Sequence, residues 1–146
     1  MNKVLLELTP EQAKATLNAL DLFTRIGLGQ LETITDLLQS EALHVRPSNE
    51  SGPIASLDQI DEINSLLMLA KNAMGHSSSQ SFGVKNPNVH IDAKRTYEIS
   101  KVLSTTLAKG SDEHSDSSTA SEGLMIRLTD DLEPKAYCSS PTKGTE

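Results

Sequence analysis

The chain has 146 residues with two Phe, two Tyr and no Trp, so its core must be aliphatic; that leaves room for one modest domain and favours oligomerisation to cover the remaining apolar surface. Thirteen Lys and Arg against twenty Asp and Glu give a formal charge of -7, which argues against duplex DNA or RNA as a partner because neutralising phosphates needs a basic face. The single Cys138 excludes an internal disulfide and a cysteine metal site, and no apolar run approaches the roughly 20 residues that span a bilayer.

In chain order, Lys3 to Leu8 is a short β-rich run with Val4, Leu6 and Leu8 on one face, and it is expected to be a strand. It is also too short and too soon interrupted by Glu7 for a secretion signal, so the reducing cytoplasm is the expected location. Thr9, Pro10 and Gln12 supply a cap, a first-turn proline and a capping-box partner, predicting a helix from Pro10 to about Arg25. Its stripe of Ala13, Leu17, Leu20 and Thr24 is widened by Leu22, Phe23 and Ile26, which suggests contact on two sides. Gly27-Leu28-Gly29 reads as a break or kink, and Gln30 to Gln39 as a second helical segment.

A Ser- and Pro-rich loop, 40–56, precedes a second capping box, Ser56 with Gln59. Leu57, Ile60, Ile63, Leu66, Leu67, Ala70 and Met74 then repeat at helical spacing up to a Gly75 cap. A further loop, 75–92, carries Phe82 and leads into a helix from about Asp92 to Lys109, with Ala93, Thr96, Ile99, Val102, Leu103 and Thr106 on one side. Residues 111–122 read as a flexible Ser- and acid-rich linker, 123–129 as a strand returning to the core, and 130–146 as a polar tail. The expected fold is therefore α+β: mainly helical and oligomeric, residues 1–110 forming the core, with a small antiparallel sheet made by the N- and C-terminal strands. The second strand has a strand of another subunit as its alternative partner.

Catalysis has no visible seat, since no nucleophile motif or phosphate loop is present. Gly27-Leu28-Gly29 lacks both the preceding strand and the third glycine of a dinucleotide fingerprint. His44, His76, His90 and His114 have no metal-ligand spacing, and the run Ser111 to Asp116 lacks the glycine and terminal Glu of a calcium loop, so neither a metal nor a cofactor is expected.

Binding has a better case, centred on Ser81 to His90 and the helix behind it. Phe82 offers a stacking face, Asn86 and Asn88 offer amide edges, and Lys85, Lys94 and Arg95 are local cations in an acidic chain, a set that suits a small anionic nucleotide. The structural alternative gives Phe82 the role of loop anchor and makes Asn86-Pro87-Asn88 only a turn and cap. Arg25 has the same ambiguity, between a phosphate at an interface and the C-terminus of its own helix.

Several stretches carry a family resemblance: Leu5-Glu7-Leu8-Thr9 with Glu11-Gln12-Ala13, Ala19 through Gln30, Ser81-Phe82-Gly83-Val84, Asn86-Pro87-Asn88-Val89, Ala93-Lys94-Arg95 and Tyr97-Glu98-Ile99. Together they cover about half the chain and resemble the first type of Thoeris anti-defence nucleotide sponges of phages and prophages. The resemblance implies a cytoplasmic homo-oligomer, dimer or hexamer, that sequesters a cyclic ADP-ribose isomer or a cyclic oligonucleotide without cleaving it. It implies base stacking on Phe82, base reading by Asn86 or Asn88, phosphate contact by Arg95 or Arg127, and a second interface near Arg25 and Leu28. Lys85 and Lys109 stand where a guanidinium would be expected, and the Ser-rich segment before Leu124 is longer than the family pattern. The competing expectation is a protein-interaction or assembly factor that docks a host or phage protein on the broad stripe of the first helix and the edge near Ile126.

Overall fold

The computed structural model describes residues 4–45, 54–77, 79–110 and 127–137. Four helices form: α1 (Pro10–Gly27), α2 (Thr33–Gln39), α3 (Leu57–Ala73) and α4 (Ile91–Gly110). Both capping boxes are made. The Thr9 N–H donates to Gln12 Oε1 at 2.9 Å and the Gln12 N–H returns to Thr9 Oγ1 at 3.3 Å; Ser56 and Gln59 repeat the exchange at 3.0 and 3.3 Å. Each box satisfies two of the amides that the first turn leaves without a carbonyl, which is why α1 and α3 start where they do.

The expected α+β fold with a small antiparallel sheet is corrected, because no strand is present among the described residues. Residues 4–9 are irregular backbone, and Val4, Leu5 and Leu6 are 96%, 89% and 69% exposed, so the alternating run has no partner ladder and no core to bury its face. Leu124 and Ile126 of the second expected strand lie outside the described residues, as do the linker 111–122 and the tail from Cys138 onward. The part that is described, Arg127 to Thr129, spends its donors differently: the N–H groups of Leu128 and Thr129 both go to the Glu98 carboxylate, at 2.6 and 3.0 Å, and not to a neighbouring strand.

The chain divides into two compact units, Met1–Thr24 with Ile91–Glu146, and Arg25–His90. In the first, Ala13, Ala93 and Val102 are buried beside polar Thr24, Glu98, Ser100, Thr106 and Thr129, and the Thr24 and Thr96 hydroxyls share a hydrogen bond of 2.9 Å between α1 and α4. Ile99, expected on the inner stripe of α4, is 41% exposed, while its neighbour Glu98 faces inward. The strap 127–137 lies on α4 through Glu98, through an ion pair between Asp131 and Arg95, and through the Thr106 hydroxyl, which donates to the Ala136 carbonyl at 3.4 Å.

In the second unit α2 packs on α3, burying Leu31, Leu38 and Ile60 with Thr33, Thr35 and Lys71. Buried polar side chains are as prominent as apolar ones in both units. Such cores hold only if every polar group is paired, and among the described residues no buried side-chain N or O lacks a partner. No described helix is long and apolar enough to cross a membrane.

Candidate ligand-binding site

Helix α1 ends in a Schellman motif. Gly29, at φ +81°, sends its N–H to the Ile26 carbonyl at 2.9 Å, and the Gln30 N–H reaches back to Arg25 at 2.9 Å. The Gly27-Leu28-Gly29 break is therefore a helix terminator, with the second glycine taking the left-handed position. Helix α3 ends the same way: Gly75 at φ +87° donates to Asn72 at 2.9 Å, and His76 donates to Lys71 at 3.1 Å.

These two ends meet through a side chain. The His76 ring lies over the bare α-carbon of Gly29, where a Cβ would stand 2.7 Å from Nε2 and 2.9 Å from Cε1. Phe82 meets that imidazole edge to face, with ring centroids 4.6 Å apart and planes at 68°. The Phe82 N–H donates to the Leu28 carbonyl at 2.8 Å, and Gln30 Nε2 donates to Ser81 Oγ at 3.4 Å, so the loop after α3 is tied at two points to the turn after α1. The outcome is a half-buried aromatic pair, His76 and Phe82, bordered by a hydroxyl and an amide.

Of the residues singled out from sequence, Phe82 and Leu28 meet at this junction, Arg25 contributes the backbone carbonyl that accepts the Gln30 N–H, and Asn86 and Asn88 follow on the same loop as Phe82. Asn86 Oδ1 accepts the Asn88 N–H at 2.9 Å and the Asn86 carbonyl accepts from Val89 at 3.1 Å, so the acceptor edge of Asn86 shapes the turn that delivers buried Val89. Lys94, Arg95 and Arg127 belong to the other unit. Arg95 donates through Nη1 to Asp92 at 2.9 Å and through Nε and Nη2 to both oxygens of Asp131, and these carboxylates hold its pKa above the ordinary range. Arg127 donates to the Thr129 and Asp131 carbonyls and stands 4.0 Å from Glu98. Both guanidiniums therefore serve the strap.

Sequence reasoning missed His76, and the signal was its place directly after the Gly75 cap, where a C-terminal side chain often packs back on its own surroundings. It also missed Glu98, which falls four and eight residues before buried Val102 and Thr106, on the inner stripe of α4. Comparisons with protein-family models, with curated proteins and with solved structures find no match to this chain.

The His76 seat makes a testable demand on Gly29. Gly75→Ala meets open space and should cost about 1 kcal/mol for its left-handed backbone alone. Gly29→Ala adds a collision with the imidazole and should cost roughly 2 kcal/mol, the excess arising from forced repacking. Urea midpoints of the two variants check this, and adding His76→Ala should bring the Gly29 variant back to the Gly75 value.

Proposed function

We propose that this protein acts by holding a small cyclic nucleotide signal in stoichiometric amounts, as an anti-defence sponge working in the cytoplasm of a phage host, without turning it over. The observation that carries the reading is the His76–Phe82 pair at the junction of two capped helix ends. A part-exposed aromatic braced by one ring contact and tied through its own backbone amide is a preorganised surface for a nucleobase. Ser81 and Gln30 border it with groups able to hydrogen-bond a base edge, and exposed Lys85 on the same loop supplies positive charge for phosphate. The motif resemblance around Phe82 and Leu28 points to the same class of ligand. The reading places no phosphate on Arg95 or Arg127, whose donors are engaged by the strap.

The test is to incubate the purified chain with cyclic ADP-ribose isomers and cyclic di- and trinucleotides, wash it, denature it by heat and identify the released compounds by mass spectrometry. One compound recovered intact is the expected result. Nothing retained, or only a cleaved product, overturns the proposal. Base stacking contributes about 1–3 kcal/mol, so Phe82→Ala should weaken binding of the recovered compound by roughly 10- to 100-fold at unchanged helix content.

A second reading, a factor that docks another protein, draws on one specific observation. Val4, Leu5 and Leu6 stand exposed in front of α1, and Phe23 on α1 is 52% exposed. It predicts that Phe23→Ser abolishes a stoichiometric protein complex while leaving nucleotide retention untouched.

A further inference from the structure

Helix α3 is apolar on two faces. Ile60, half-buried Leu67 and Lys71 turn inward, yet Leu66 and Leu69 are 59% and 65% exposed, and Ala70 and Ala73 are exposed with them. These four occupy positions i, i+3, i+4 and i+7, so they form one continuous stripe, which Met74, 58% exposed, extends at its C-terminal end. The N-terminal end of the same face carries exposed Glu62.

We propose that this stripe pairs α3 with α3 of a second copy of the chain, antiparallel, about a two-fold axis between Leu69 and Ala70. The order Leu, Leu, Ala, Ala is self-complementary in that one orientation: Leu66 falls on the partner's Ala73, and Leu69 on the partner's Ala70. Each large side chain then meets a small one, as interdigitating helices require, and the alanines let the backbones approach closely. Charge selects the same orientation. Antiparallel, each Glu62 lies beyond the end of the opposite helix; parallel and in register, Glu62 would face its own copy, Leu would meet Leu and Ala would meet Ala. A two-fold pair is also the commonest closed assembly and leaves no unsatisfied stripe to propagate.

The stripe is one face of a single helix, five side chains against the about 20–30 residues a side of a standard stable interface, so the pair should be weak, with a dissociation constant on the order of 10 µM. The pairing goes beyond the ligand reading and needs no nucleotide to test.

Sedimentation from about 1 to about 500 µM is expected to show monomer giving way to dimer, against the micromolar affinity expected for so small an interface. Ala73→Leu is the sharper probe. It adds apolar surface to an exposed position, which would tighten a non-specific association, but it should weaken this one by about tenfold or more because two leucines then collide. With Cys138 replaced by Ser, a mixture of Leu66→Cys and Ala73→Cys chains should form a heterodisulfide under mild oxidation. Neither chain alone should link to itself, since like positions stand about 10 Å apart along the axis. A monomer at every concentration, tighter dimers in Ala73→Leu, or self-linking of either cysteine variant would each overturn the proposal.

Discussion

Replacing Glu32 by Gln is expected to destabilise the protein by about 3 kcal/mol, a large effect for a side chain at the surface. The cause lies on the other partner. Lys71, near the C-terminus of α3, is only 1% exposed, and its ammonium donates to both oxygens of Glu32, at 3.1 and 3.4 Å. Glu32 stands at the N-cap of α2 but makes no side-chain cap there, so its carboxylate is committed to the lysine. Burial pushes the Glu32 pKa up, yet the donors around it, Lys71 among them, hold it below the ordinary value.

With the carboxylate removed, the walled-in ammonium keeps its desolvation cost and loses its counter-charge. That asymmetry makes breaking a buried pair far worse than never having it. Glu32 is 42% exposed, so water screens part of the interaction, and the expected loss sits at the low end of the range for such pairs. Joint replacement, Glu32→Gln with Lys71→Met, should recover most of the loss by filling the same volume with an apolar chain. Urea unfolding of the wild type, both single variants and the double variant closes the cycle. A Glu32→Gln cost below about 0.5 kcal/mol would mean that the pair behaves like an ordinary surface salt bridge.

The helices were legible in the sequence because the signals that set them are local. Thr9 with Gln12 and Ser56 with Gln59 fix two helix starts within four residues, and Gly29 and Gly75 fix two ends by being able to take a positive φ. The expected sheet failed because a strand is a statement about a partner. Val4 to Leu8 alternates as a strand should, but nothing local records whether a neighbour exists to pair with it.

The candidate site was legible by halves. Phe82 was visible as an aromatic in a polar loop, and Leu28 and Arg25 by resemblance, but that the two segments adjoin depends on tertiary packing. His76 gave no pattern of its own because its role is to lie on a bare glycine 47 residues earlier in the chain. Arg95 and Arg127 show the converse limit: sequence displays a charge but not the carboxylate or carbonyl paired with it.

The same logic makes Glu98 the most consequential acid in the first unit. Its side chain is 3% exposed and accepts the N–H groups of Leu128 and Thr129 at 2.6 and 3.0 Å and the Thr129 hydroxyl at 2.7 Å, with the Arg127 guanidinium at 4.0 Å. Burial pushes its pKa up, but the Leu128 amide, the Thr129 hydroxyl and amide, and the Arg127 charge together reverse this and hold it below the ordinary value of 4.5. Glu98→Gln can keep an oxygen toward the two amides, but its NH2 group then faces the Thr129 hydroxyl, which must turn from donor to acceptor, and it removes the charge that strengthened all three bonds. It should cost about 2–3 kcal/mol.

The pH dependence then has a definite sign. A carboxyl whose folded pKa is depressed contributes its full stabilisation above its unfolded value, and loses it as pH falls through the folded one. The stability gap between wild type and Glu98→Gln should therefore be widest near neutrality, narrow below about pH 4.5, and close at lower pH. Asp131, also depressed, chiefly by Arg95, titrates in both proteins and drops out of the difference. Amide exchange provides the local readout: the Leu128 and Thr129 N–H groups should lose protection in Glu98→Gln at pH 7, while the Phe82 amide, bonded to Leu28 in the other unit, should keep its own. A uniform loss of protection at all three amides would mean that the strap is integral to global folding and that Glu98 does not act on it locally.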